Sequence, residues 1–179
     1  MTQSVTPRRE IQRQHERAVV SDFLDWYRRH RKVEFKVIEE PNPPEAIIQS
    51  ARLKRWVEVV DAFLSNAWAE DEYSYATPGR AHVPVATELI TEPDAAFAHR
   101  FVAALSKKLS KTSYQRVTQA YGPGYLVLSI ENPLFTRQTM NEMKTLWAAG
   151  RPWHNNGCFR EVFLRRRTRN GYAIVRWEV

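Results

Sequence analysis

Two carboxylates suggest chemistry before any fold is considered. Glu45 follows Pro44 and precedes the apolar run Ala46-Ile47-Ile48, and Glu58 lies thirteen positions later inside Trp56-Val57-Glu58-Val59-Val60-Asp61. A carboxylate in the middle of an apolar strand is costly unless it is paired or bound to a cation. Strand alternation puts Glu58 on the face of Trp56 and Val60, opposite Val57 and Val59. If the two runs form a hairpin, Glu45 and Glu58 converge at one end of it. Two such carboxylates make a hard-oxygen site for Mg²⁺ or Mn²⁺, which could activate a bound water. The alternatives stay open at this point. Glu45 is equally readable as a turn acid, and Glu58 as the partner of Lys36, Lys54 or Lys108. Asp61 is either a third oxygen donor or the end of the strand.

The elements that must position these residues are legible in outline. Arg8 to His30 has helical spacing of Ile11, Val19, Val20, Phe23 and Tyr27. Val33 to Ile38 alternates as a strand with one wet face, and Trp56 to Asp61 reads as a buried strand. Thr91-Glu92-Pro93-Asp94 opens a helix running to about Lys111, with Thr91 as its cap and Asp94 at the capping-box position. Its apolar face is Phe97, Phe101, Ala104, Leu105 and Leu109. Tyr125 to Ile130 is a strand covered on both faces. Gln138 to Ala149 is a further helix. Phe159 to Arg167 and Tyr172 to Glu178 form a hairpin around Asn170-Gly171. The predicted class is mixed α/β (α+β): a central mixed sheet flanked by helices, with a helical crossover between Asp61 and Tyr125 allowing one parallel pair. Residues 1–7 read as a disordered tail and 8–179 as one domain. Residues 64–92 read as an irregular insertion.

The chain has 179 residues, 43% hydrophobic and 26% charged, with a net charge of +7. That composition excludes wholesale disorder. No apolar run is long enough to cross a membrane, and Met1 to Arg9 lacks the apolar core of a secretory leader. With the single cysteine, Cys158, a cytoplasmic setting is expected and a cysteine-rich zinc site is excluded. No phosphate-cradling glycine loop, Gly-x-Ser-x-Gly elbow or His-Glu-x-x-His is present. The five histidines have no metal-ligand spacing in sequence. The excess of positive charge suits an acidic partner such as nucleic acid. Two basic stretches could touch one: Arg151 and Trp153, with an indole able to stack on an unpaired base, and Arg165, Arg166, Arg167 and Arg169 at the hairpin tip. A solvated, charge-protected sheet edge is the alternative for the second stretch.

A helix, a Pro-acid pair, an acid inside a hydrophobic strand, then a helix and a strand together resemble the PD-(D/E)XK superfamily, the restriction-endonuclease-like nucleases. The resemblance runs from about Glu16 to Ile130, on short motifs. Pro44-Glu45 falls on that family's Pro-Asp and Glu58 on its second acid. The resemblance implies that Glu45 and Glu58 bind Mg²⁺, with the Val59 carbonyl completing the shell, and that the substrate is nucleic acid, with DNA favoured. Two departures stand out. Glu45 replaces aspartate, which keeps the ligand atoms. Val60 replaces the lysine that positions the attacking water. Some members carry that basic residue on the following helix, and here Lys108 lies on the sheet-facing side of the predicted helix, with Lys111 as the next candidate. The family often adds an acid from its first helix. Glu16 matches, and otherwise reads as a surface acid paired with Arg13 or Arg17. The expectation is a Mg²⁺-dependent nuclease with Glu45, Glu58, Lys108 and Glu16 at its centre, acting as a dimer or within a larger assembly. The alternative is a catalytically inactive nuclease-fold subunit that binds nucleic acid or a partner protein.

Overall fold

A computed structural model describes residues 7–85, 91–150 and 156–178. The elements in chain order are α1 (Pro7–Arg31), β1 (Lys36–Glu39), β2 (Ala46–Gln49), β3 (Lys54–Phe63), α2 (Asn66–Ala76), α3 (Pro93–Leu109), a 3₁₀ turn (Thr112–Tyr114), α4 (Gln115–Tyr121), β4 (Gly124–Glu131), α5 (Arg137–Ala149), β5 (Phe159–Thr168) and β6 (Gly171–Trp177). The six strands form one mixed sheet whose spatial order follows the sequence. β1–β2, β2–β3 and β5–β6 pair antiparallel, while β3–β4 and β4–β5 pair parallel. Helical crossovers make both parallel joins, α3 with α4 before β4 and α5 before β5. The fold is a mixed α/β sheet flanked by helices, with one more parallel pair than the sequence suggested.

Strand alternation splits the core into two layers. Val57, Val59, Tyr125, Val127 and Phe163 face α1 and meet Val19, Val20, Phe23 and Tyr27. Trp56, Ala62, Leu126, Leu128 and Leu164 face the other way, onto Phe97, Phe101 and Leu105 of α3 and Met143 and Trp147 of α5. β4 is buried on both faces, as its continuous apolar run predicts. At its start, Gly124 lies so close to the Trp56 indole that an added Cβ would sit 2.3 Å from the ring.

Several boundaries differ from the sequence reading. Residues 64–92 contain a helix, α2, capped by Ser65, whose Oγ accepts from the Trp68 amide at 3.2 Å. Its short length and weak amphipathy concealed it. α4 was likewise not anticipated. The first helix already includes Pro7, and residues 1–6 lie outside the described residues. Thr91 does not cap α3. Glu92 holds the cap position in a left-handed conformation without a side-chain cap, and the Asp94 carboxylate instead accepts a hydrogen bond from Thr139 on α5. That bond ties the two helices together, so tertiary pairing took the carboxylate away from local capping. β1 begins at Lys36, and all four of its residues are exposed. Its inward anchor is Phe35, just before the strand.

Candidate active site

The β2–β3 register pairs Ala46 with Val57, so Glu45 and Glu58 are the next residues past the end of that ladder. The Val59 amide, beyond the last β2 partner, donates to Glu45 Oε2 at 3.1 Å. This bond holds the Glu45 carboxyl against β3. At Val59 it is thus the N–H that joins the arrangement, where the resemblance implies the carbonyl.

Glu58 is 1% exposed. Lys108, on the last turn of α3, is carried inward by its buried neighbours Leu105 and Leu109. Its Nζ lies 2.5 Å from Glu58 Oε1. Tyr114 donates its hydroxyl to the same oxygen, and Lys108 Nζ is 3.2 Å from that hydroxyl. Tyr114 is fully buried, stacked on Trp56 at 5.3 Å between centroids and met edge-on by Phe159. Trp56 is itself fixed by its Nε1–H, which donates to the Gly122 carbonyl at 2.9 Å. Lys111 stays exposed, its Nζ 5.1 Å above the Tyr114 ring. The structure therefore brings Lys108, not Lys111, to the carboxylates.

The electrostatics of the site are strained. Burial pushes the Glu45 carboxyl well above the usual carboxylate range, and the neighbouring charge of Glu58 and a hydrogen bond to it push the same way. The Val59 amide offsets part of this. Burial also raises Tyr114, reinforced by its bond to Glu58, so the phenol stays protonated and acts as a donor. Glu16 is 8% exposed and is raised by burial and by the charges of Asp61 and Glu58. It accepts from Gln12 at 2.8 Å, whereas Arg17 pairs with Glu40. The alternative reading of Glu16 as a surface acid paired with Arg13 or Arg17 therefore does not hold: it is buried and its partner is uncharged.

The donor set fits a hard divalent cation. Glu58 Oε1 is saturated by Lys108 and Tyr114, while Glu58 Oε2 is buried without a hydrogen-bond donor. A proton retained on Glu45 or a cation shared by the two carboxylates would satisfy that oxygen. Magnesium is commonly held by one or two carboxylates and keeps several waters. Glu45 and Glu58 are the residues that would hold it, with Glu16 close enough for its charge to be felt.

A second cluster went unread in the sequence. His15 Nε2 lies 2.8 Å from Asp61 Oδ1 and 3.9 Å from Glu131 Oε1. No local spacing announces it, because α1, β3 and β4 each supply one residue. Ligand atoms of the three lie within 4.8 Å of one another, which is metal-compatible. The group is also well paired internally. Asp61 accepts from Tyr73 at 3.3 Å, Glu131 accepts from Ser129 at 2.6 Å, and the Arg165 guanidinium stands 3.8 Å from Glu131. Asp61 projects from the opposite face of β3 to Glu58, so it joins this cluster rather than the first.

The basic stretches fare differently from one another. Arg151 and Trp153 lie outside the described residues. Arg165 is 2% exposed. It pairs with Asp22 at 2.8 Å, donates to Ser129 at 2.9 Å and lies against the Tyr172 ring. It is an internal strut, and its placement among surface arginines is corrected. Strand alternation explains this, since Phe163 and Arg165 share the face packed on α1. Arg167 and Arg169 are exposed and Arg166 is half-buried, with β4 separating their strand from β3.

No family model, curated protein or solved structure matches the chain. Among the described residues, no helix is long and apolar enough to cross a membrane.

Proposed function

We propose that the protein is a divalent-metal-dependent nuclease that hydrolyses phosphodiester bonds of nucleic acid, with DNA favoured by the resemblance to the PD-(D/E)XK superfamily. The observation that carries this reading is the convergence of Glu45 and Lys108 on the buried Glu58, whose Oε1 is taken by Lys108 and Tyr114 and whose Oε2 meets no donor but the Glu45 carboxyl. A structural ion pair would need only Lys108 and Glu58. The second carboxyl, held beside it against repulsion and desolvation, is what such a pair leaves without purpose.

Bound Mg²⁺ supplies Lewis-acid polarisation of the phosphate and lowers the pKa of a coordinated water. The residues of the chain do the rest. Glu45 and Glu58 fix the position of the cation. Lys108 replaces the lysine missing at Val60, where its ammonium can orient the attacking water or oppose the charge that develops on the phosphate. Tyr114 keeps Glu58 Oε1 and Lys108 in register, leaving Oε2 as the ligand atom. Glu16 adds negative charge from α1.

The test is cleavage of single- and double-stranded DNA and RNA with Mg²⁺, Mn²⁺ or EDTA, beside Glu58→Ala and Lys108→Ala. Metal-dependent cutting should fall by about 10²-fold or more in both variants. Cutting that survives Glu58→Ala would sink the site assignment. Salt-sensitive binding without cutting would favour an inactive nuclease-fold subunit instead.

A further inference from the structure

A cleft of about 410 Å³ opens beside the carboxylates, between α1 and the β1–β2 segment. Val20, Leu24, Val37 and Ala46 form apolar walls, the buried Glu16 and half-buried Glu45 lie in it, and the exposed Arg13 and Arg17 border it. It therefore shares two carboxylates with the candidate active site. A volume near the low end of ligand-sized pockets accepts one nucleotide unit, not a pair of strands.

We propose that this cleft receives a single unpaired nucleotide of a single-stranded nucleic acid, a reading that rests on the nuclease assignment above. The lining dictates the orientation. The walls are apolar and the exposed cation stands at the border, so the base enters against Val20, Leu24 and Val37 and the phosphate stays at the rim. Arg13 is the cation available there, since it forms no ion pair among the described residues. Arg17 is already engaged by Glu40 through its Nε at 3.0 Å and Nη2 at 2.7 Å. The exposed Asn42 at the mouth offers amide donors and an acceptor to a base edge. A base within a duplex has both faces covered by its neighbours and must be unstacked before it can enter, which disfavours double strands. With the base in the cleft, its linkage to the next nucleotide passes Glu45, which lines both the cleft and the candidate active site.

The experiment is fluorescence anisotropy with the full chain in Ca²⁺, using a fluorescein-labelled oligothymidylate and a blunt duplex of equal length. Tb³⁺ luminescence reports metal binding in parallel. Val37→Trp fills the cleft from an exposed position, and Arg13→Ala removes the rim cation. Single strands should bind about tenfold or more tightly than duplex, and each substitution should weaken single-strand binding by about tenfold, with Tb³⁺ binding unchanged. Equal affinity for single strand and duplex, single-strand affinity indifferent to both substitutions, or no nucleic-acid binding at all would overturn the proposal. Oligonucleotide binding that both substitutions weaken, in a protein that takes no Tb³⁺, would uphold the cleft and overturn the metal-site reading instead.

Discussion

The two faces of β3 carry two charged clusters built to opposite specifications. On the α1 face, His15, Asp61, Glu131 and Arg165 pair off, with Tyr73, Ser129 and Asp22 as further partners. On the α3 face and at the adjoining hairpin end, Lys108 and Tyr114 both serve one oxygen of Glu58, Glu45 is held by the Val59 amide, and the other oxygen of Glu58 meets no donor but the Glu45 carboxyl. The first arrangement is self-sufficient and suits a structural role. The second buries one carboxyl against another, so that Glu45 keeps its proton there, and a bound cation would take that proton's place. Proximity of charged groups is therefore less informative than whether their hydrogen-bonding capacity is used up.

The largest break in this contrast is expected from Lys108→Met. It leaves Glu58 buried with Tyr114 as its sole donor, and should destabilise the fold by about 3 kcal/mol, the lower end for an uncompensated buried charge because Lys108 is partly exposed. Denaturant unfolding measures this, and adding Glu58→Gln should recover much of the loss. Full additivity of the two substitutions would show that the pair is not coupled.

An intermediate effect concerns pH. The carboxyl of Glu45 is raised in the folded state, so its contribution to stability is present below its unfolded pKa and is lost as pH rises through the folded value. In EDTA, the melting temperature should fall from mildly acidic pH up to about 9, the raised value of Glu45, and level off above it. Mg²⁺ should restore it while displacing a proton, and Glu45→Gln should flatten the profile. A wild-type profile already flat in EDTA would remove the protonated-pair argument.

The smallest effect belongs to the paired cluster. His15 is raised chiefly by its hydrogen bond to Asp61, with Glu131 adding to the shift while burial and Arg165 oppose it. Its contribution is present below the ordinary histidine range and is lost as pH rises through the raised value. His15→Gln should cost less than about 1 kcal/mol at mildly acidic pH and nothing at pH well above it, as thermal melts at several pH values would show.

Much of this was legible in the chain. The sheet strands, both major crossover helices and the α1 stripe follow from apolar periodicity. The meeting of Glu45 with Glu58 follows from one hairpin register, and Lys108 from its place between Leu105 and Leu109. What escaped depended on tertiary partners. Tyr114 looked like any tyrosine beyond a helix until Trp56 and Phe159 closed around its ring. His15, Asp61 and Glu131 come from three elements, so no spacing links them. Arg165 stood in a run of arginines that reads as surface, although alternation turns one of the three inward. Asp94 had a local use as a cap and was taken by Thr139.

The contact between Gly124 and the Trp56 indole also reaches the carboxylates. Trp56 stacks on Tyr114, and Tyr114 holds Glu58, so the side-chain-free position at the start of β4 underwrites a site one strand away. In a library of random variants, position 124 should behave as though it were part of the site. Substitutions there would spare most of the sheet and still be purged by any selection acting on the carboxylates. Tolerance to change in this chain is thus set by what stacks on what, and the stretch that a designer must leave untouched is wider than the residues that bear charge.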